Sequence, residues 1–316
     1  MRPDWRASCV TLTVLATLAG SARAQSGTAT EAPGTSVGES QTEPEPESRL
    51  TWVPAWPRFR AVGYALTAAS VAGALGATFL IPYPEEPRWV GGIFVDTVAR
   101  RYLRARQGGL RDAIRYASDL TLVASLLHTG LIDGIVIPGA EGSWNVAWQL
   151  TLMNAQALSL NILVATLLFK AAARARPTYA GCEADRTSDP LCDTGEFASF
   201  PSSHTSTAFT AAGLTCIHHA NLPLYGGPPL DAAACAGSIV LATATGLFRV
   251  MGDRHHLSDV FLGAAFGFSL GYLYPWFLHY QYGARDWVRG ATSAVQWGIV
   301  PGAERSPYGV SVIGQF

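Results

Sequence analysis

The sequence predicts an all-α fold, a six-helix bundle embedded in a membrane, and three observations lead there. Six stretches, approximately 61–81, 117–137, 146–169, 204–220, 232–250 and 257–279, approach the roughly 20 residues that cross a bilayer as helix. Charged residues make up only 14% of a chain that is 49% hydrophobic, which is thin for a soluble globule. Small residues recur inside the stretches, as in "TAASVAGALGAT", and let membrane helices approach closely where oil cannot drive their association. Buried helices of a large soluble protein give a similar pattern, but six stretches of near-spanning length favour the bilayer.

Taken in chain order, residues 1–24 read as a signal peptide or leader: two early arginines, an apolar run, then Ala22-Arg23-Ala24 as a small-x-small cleavage pattern. An uncleaved anchor helix is the other reading, although Cys9 to Gly20 alone is short for a span. Residues 25–56, with "TEPEPES" at their centre, read as a disordered acidic linker. The membrane-embedded domain is expected over 57–280. Between its first two spans, 88–115 carries seven arginines with apolar residues at helical spacing, the pattern of an amphipathic segment on the membrane surface or of a solvated loop. The tail, 281–316, alternates in "AVQWGIV" and "YGVSVIGQF" about "PGAERSP", which predicts a short hairpin. One hairpin after six helices cannot close a barrel.

Formal net charge is −1, from 22 basic and 23 acidic residues, so no global field draws nucleic acid, and the bilayer is the expected partner. Local charge carries more information. "KAAARARPTY" ends the third span with Lys170, Arg174 and Arg176. "FPSSHTSTAF" opens the fourth with Ser202, Ser203 and His204. "FRVMGDRHHLSDVF" joins the fifth and sixth and supplies Arg249, His255 and Asp259.

Successive spans alternate direction, so these three mouths share one membrane face and can meet. Each is bland alone: serines before an apolar run are ordinary caps, and basic residues at a span's end are ordinary interface anchors. Together they make an oxyanion site. Arginine forks match phosphoryl oxygens, and amides at a helix N-terminus point a positive dipole at the same anion. An imidazole such as His255 can attack phosphorus, Asp259 one helical turn on can orient it, and His204 is left to protonate the leaving oxygen. Arg254 and His256 could contact substrate, but read rather as residues exposed at the membrane surface. Asp119, His128, Asp133, Asn154, Gln156 and Asn161 are costly in lipid and are expected to face the bundle interior.

These clusters resemble the signature of the type 2 phosphatidic acid phosphatase and vanadium haloperoxidase superfamily: Lys-x6-Arg-Pro, then Pro-Ser-Gly-His, then Ser-Arg-x5-His-x3-Asp, in the same order over roughly 115–280. The resemblance implies that His255 is the nucleophile that becomes phosphohistidine, with Asp259 orienting it and His204 as general acid. Arg176, Arg249, Ser202 and the Ser203 amide would hold the phosphoryl oxygens. Three departures stand out. Lys170 precedes Arg176 by six positions where the pattern has seven, with Phe169 at the expected place; one position is about 100° around a helix, so either Lys170 reaches by its flexible stem or Arg174 substitutes. Ser203 replaces the usual glycine, and Phe248 the serine before Arg249.

The function so implied is that of a phosphoric monoester hydrolase of the bacterial inner membrane, acting on a lipid phosphate monoester or pyrophosphate and requiring neither metal nor cofactor, since cationic side chains neutralise the phosphoryl charge. Alternatives are a vanadate-dependent haloperoxidase and a non-catalytic lipid-binding or transport protein. Cys182 with Cys192, and Cys216 with Cys235, can each close a disulfide or stay free thiols. A bridge in the 182–192 loop argues for an oxidising compartment and so a periplasmic site, as does the resemblance. A cleaved leader followed by three spans, and the arginines of 88–115, point to the cytoplasm instead. The periplasmic reading is the one carried forward.

Overall fold

The computed structural model describes residues 48–185, 187, 189, 192 and 197–282, and the backbone of 295–301 and 308–314. The leader expected at 1–24 lies outside the described residues, as does the expected linker up to residue 47. Its last part does not behave as a linker: Leu50, Trp52 and Trp56 are buried in an apolar core with Val146, Leu150, Met153 and Leu222. Two tryptophans within five residues bury too much apolar surface to stay in water.

The helices are α1 (Ala61–Phe79), α2 (Asp96–Leu103), α3 (Gly108–Leu127), α4 (Ile137–Ala140), α5 (Trp144–Ala172), α6 (Tyr179–Ala184), α7 (Ser203–Asn221), α8 (Leu230–Met251) and α9 (Leu257–Leu278). A π-helical stretch, His128–Val136, joins α3 to α4 without a break. It precedes Pro138, which has no amide to return to the preceding turn, so a widened turn takes up the mismatch. Backbone segments β1 (Val295–Pro301) and β2 (Tyr308–Gly314) pair antiparallel.

Among the described residues, five helical runs are long and apolar enough to cross a membrane: Ala61–Phe79, Gly108–Ala140, Trp144–Ala172, Leu230–Met251 and Leu257–Leu278. This is a multi-pass membrane protein. Exposed Val62, Leu66, Leu120, Val240 and Phe261 give the runs the apolar exterior that lipid requires. The sixth expected stretch, α7, falls short in hydropathy for a physical reason. Most of its residues are buried inside the bundle, so it faces protein and is built of Ser, Thr, Ala, Gly and His rather than of lipid-soluble side chains.

α7 packs hardest against α9, and glycine permits it. A Cβ on Gly263, Gly267 or Gly271 would meet the backbone oxygen of Ser202, Ser206 or Thr210 at 2.8, 2.1 and 2.1 Å respectively. Glycines at every fourth position thus form a smooth stripe on α9 against which α7 lies backbone to backbone. The Thr210 hydroxyl adds a 3.1 Å bond to the Gly267 carbonyl. This contact fixes the N-termini of α7 and α9 beside each other, where His204 and Asp259 sit. Gly267→Ala is expected to cost about 1–3 kcal/mol by overpacking. A thermal melt of detergent-purified protein checks this, and an unchanged midpoint would contradict backbone-to-backbone packing.

Candidate active site

α5 ends at Ala173, whose φ of 45° turns the chain out of the helix in the left-handed region. The next residues run beside 88–91: the Arg88 amide bonds the Ala173 carbonyl at 3.0 Å, and the Ala175 amide bonds that of Trp89 at 2.8 Å. That pairing turns Arg174 inward, where it is fully buried. Its guanidinium donates to Asp96 at 2.9 Å, Ser258 at 2.9 Å, the Gly91 carbonyl at 2.9 Å and Asp259, and stacks 3.9 Å over the Trp89 ring. Arg174 therefore pins the first turn of α9 and is not a substitute phosphate ligand. Arg176, two residues on, donates to the Arg254 carbonyl at 2.8 Å and approaches His255 Nε2 at 3.5 Å.

The α8–α9 turn presents His255. Asp253 adopts φ 59°, and the amides of Arg254 and His255 both return to the Arg249 carbonyl, at 3.0 and 3.3 Å. His255 Nδ1 lies 2.7 Å from the Ser199 carbonyl. A carbonyl only accepts, so Nδ1 carries the proton and Nε2 keeps its lone pair. The sequence reading gave this orienting task to Asp259, but Asp259 stands 4.0 Å from Nδ1. Its oxygens instead accept from the Ser199 hydroxyl at 2.7 Å, the His256 amide at 2.9 Å and Arg174. Asp259 thus holds the Ser199 segment, and the Ser199 carbonyl holds the ring. The reason is local: as the third residue of α9, Asp259 is drawn into capping that helix.

At the start of α7, the Ser202 amide bonds the Asp259 carbonyl at 3.1 Å. The Ser202 hydroxyl is fully buried and caps the helix by accepting from the Thr205 amide at 3.4 Å, accepts also from the Thr205 hydroxyl at 2.9 Å, and does not line the cavity. Ser203 and His204 occupy the first turn, where backbone amides have no partner within the helix, and both line the cavity.

This cavity, about 370 Å³, brings together Arg176, Ser203, His204, Arg249, Arg254 and His255. The three expected helix mouths meet in it. Three guanidiniums and a helix N-terminus make its interior strongly cationic. Burial, then the neighbouring Arg254 and Arg249, lowers the Arg176 pKa well below the ordinary guanidinium value. Burial, then Arg115 and Arg249, takes Arg254 down to about 10. Arg254 thus remains charged near neutrality, and an entering anion relieves the repulsion among the clustered guanidiniums.

Burial foremost, then the positive charges of Arg176 and Arg249, also push the His255 imidazole well below its ordinary value near 6.5. A lowered pKa means that the ring stays neutral to lower pH. In histidine ¹⁵N spectra assigned with His255→Asn, His255 is expected to remain the neutral Nδ1–H tautomer at about pH 6. Protonation at or above the ordinary midpoint would contradict this environment.

Lys170 is not in the cavity. Its ammonium caps the C-terminus of α1, donating to the carbonyls of Ala77 at 2.7 Å, Thr78 at 3.1 Å and Ile81 at 2.5 Å, and lies 4.7 Å from the Tyr83 ring centroid. The one-position shift turns lysine toward α1, and Phe169 takes the wall of the cavity instead. Arg254, read from sequence as merely exposed, supplies the third cation. His256 is buried as the N-cap of α9, its ring 3.3 Å from the Ala175 carbonyl.

Asp119 is the residue that sequence reasoning missed. It pairs with Arg249 and stands 3.3 Å from His204 Nε2. Unlike Asp133, Asn154, Gln156 and Asn161, which are buried as expected, it is half exposed toward the site. Its signal was available: its position one helical turn after Arg115 puts it at the same end of α3 as the arginine-rich segment.

A family model described as the PAP2 superfamily matches residues 148–282. The match begins in α5 and ends just past α9, so the matched stretch contains all three helix mouths, while Asp119 and α2 come from chain that precedes it. Among solved structures, the chain is similar to the crystal structure of the first transmembrane PAP2 type phosphatidylglycerolphosphate phosphatase from Bacillus subtilis, at 19% identity and a TM-score of 0.45, covering 68% of this chain and 94% of that one. No curated protein matches.

Proposed function

We propose that this protein is a membrane lipid phosphatase that hydrolyses a phosphate monoester or pyrophosphate through a phosphohistidine on His255. One observation carries the reading: the unprotonated Nε2 of a neutral His255 opens into a cavity that also holds His204 and three arginines. The family-model match over residues 148–282 supports it, as does the resemblance of the three motifs.

In the first step His255 Nε2 attacks phosphorus, the bond from phosphorus to the lipid oxygen breaks, and His204 delivers a proton to that oxygen. Arg176, Arg249, Arg254 and the first amides of α7 stabilise the charge gathering on the other oxygens. In the second, water attacks the phosphohistidine, His204 takes the water proton, and phosphate leaves. His204→Ala is expected to lower kcat by about 10²–10⁴-fold on a lipid alcohol. On an acidic leaving group such as p-nitrophenol the loss in the first step, read as the initial burst of p-nitrophenol, should be much smaller, because that oxygen departs without a proton.

The Cys182–Cys192 bridge in the loop beside the site supports a periplasmic face of the inner membrane. The test of function is phosphate release by the detergent-purified chain from phosphatidate, phosphatidylglycerophosphate and polyprenyl pyrophosphate. Release from at least one is expected. Retained anionic-lipid binding without turnover on any of them would favour the non-catalytic alternative.

A further inference from the structure

We propose that α2 and its flanks form a second phosphate-binding site, a dock for the headgroup of an anionic lipid at the membrane surface, tied to the catalytic turn through Asp253. A groove of about 270 Å³ runs along α2, lined by Thr97, Arg100, Arg101, Arg104 and Arg106. One buried carboxylate, Asp253, meets two of the four arginines, bonding Arg100 Nε and Nη2 at 2.7 and 2.8 Å and pairing with Arg104 Nε at 2.7 Å. Among the described residues neither Arg101 nor Arg106 pairs with a carboxylate, so the groove keeps a large positive excess.

The other face of α2 is apolar and uncovered, with Phe94, Val98 and Tyr102 at 93%, 57% and 79% exposure. Val98 and Tyr102 lie one turn apart and so share one face of α2, and Phe94 stands just before its N-terminus. α2 lies between the last residue of one spanning helix, Phe79, and the first of the next, Gly108, at the same end of the bundle as both. An apolar face beside an arginine groove at that level matches a bilayer surface carrying phosphate groups. The cavity is separate from the catalytic one, sharing none of its lining.

Asp253 gives the dock a route to the chemistry. It precedes Arg254 and His255, its φ of 59° sets the turn that presents them, and the Ala105 amide adds a 3.0 Å bond to the Met251 carbonyl. A headgroup that draws Arg100 and Arg104 toward the lipid thus pulls on the segment holding the imidazole.

The experiment uses the full chain in nanodiscs of phosphatidylcholine alone or mixed with phosphatidylglycerol, with native mass spectrometry for retained lipid and hydrogen exchange for amides 97–105. Wild type is expected to retain phosphatidylglycerol preferentially and to show slowed exchange in its presence. R101A/R106A should lose roughly 25-fold in preference, about fivefold for each arginine, while R101K/R106K keeps most of it. Turnover of a soluble short-chain phosphate should stay at the wild-type level in both variants, which separates this inference from the catalytic reading. Equal protection by inorganic phosphate in phosphatidylcholine discs would overturn the lipid as occupant. Equal retention of both lipids, or a preference untouched in R101A/R106A, would overturn the site.

Discussion

His255→Ala is expected to lower kcat for phosphate release by about 10⁴-fold or more, the scale at which removing a covalent nucleophile leaves only binding and electrostatic assistance. The structure makes the variant informative, because the ring is held by a bond from Nδ1–H to the Ser199 carbonyl and lines an open cavity. The fold should survive, with a melting midpoint within about 1 kcal/mol of wild type. The same logic separates His255 from Asp259. Asp259 reaches the ring only through Ser199, so Ser199→Ala should loosen the carbonyl that orients the imidazole and lower kcat while leaving KM nearly unchanged. Full activity in His255→Ala with intact fold would remove the nucleophile from the account.

The second large effect concerns stability. Arg174→Ala leaves Asp96 and Asp259 buried without their cation, since the side chains of all three are at most 1% exposed. Breaking such a cluster by removing one partner costs about 3–5 kcal/mol. Lysine should not rescue it, because the fork that spans Asp96, Ser258 and Asp259, and the plane that stacks on Trp89, are lost together. Arg174→Met with Asp96→Asn should recover part of the loss by removing one orphaned charge. If Arg174→Ala melted like wild type yet lost activity, Arg174 would be a phosphate ligand after all.

The all-helical membrane fold was legible because lipid imposes a coarse requirement, long apolar runs, that survives without knowledge of packing. The exception, α7, is instructive: its polarity is that of a helix surrounded by protein, which no window of hydropathy distinguishes from a weak span. The meeting of His204, Arg176, Arg249 and His255 was legible for a topological reason, since alternating spans bring their mouths to one face. What was not legible depended on single bonds. Lys170 and Arg174 were offered as alternatives for one cation, and neither faces the cavity, because carbonyls at the end of α1 claim the first and two carboxylates claim the second. Arg254 was read as exposed sooner than as a substrate contact, and Asp119 as facing the bundle interior, because turn geometry decides the first and the packing of α3 the second. Ser202 was assigned to phosphate by motif, yet its hydroxyl is spent on Thr205.

The central claim is that a neutral imidazole at position 255 becomes covalently phosphorylated in this pocket. Rapid acid-free quenching of the purified protein with radiolabelled lipid phosphate tests it, followed by peptide mapping. The account predicts a phosphoenzyme that is stable to base, labile to acid, mapped to His255 and absent from His255→Ala. Turnover with no trapped phosphoenzyme, even in His204→Ala where release of a good leaving group outpaces hydrolysis, or label on any other residue, would contradict it.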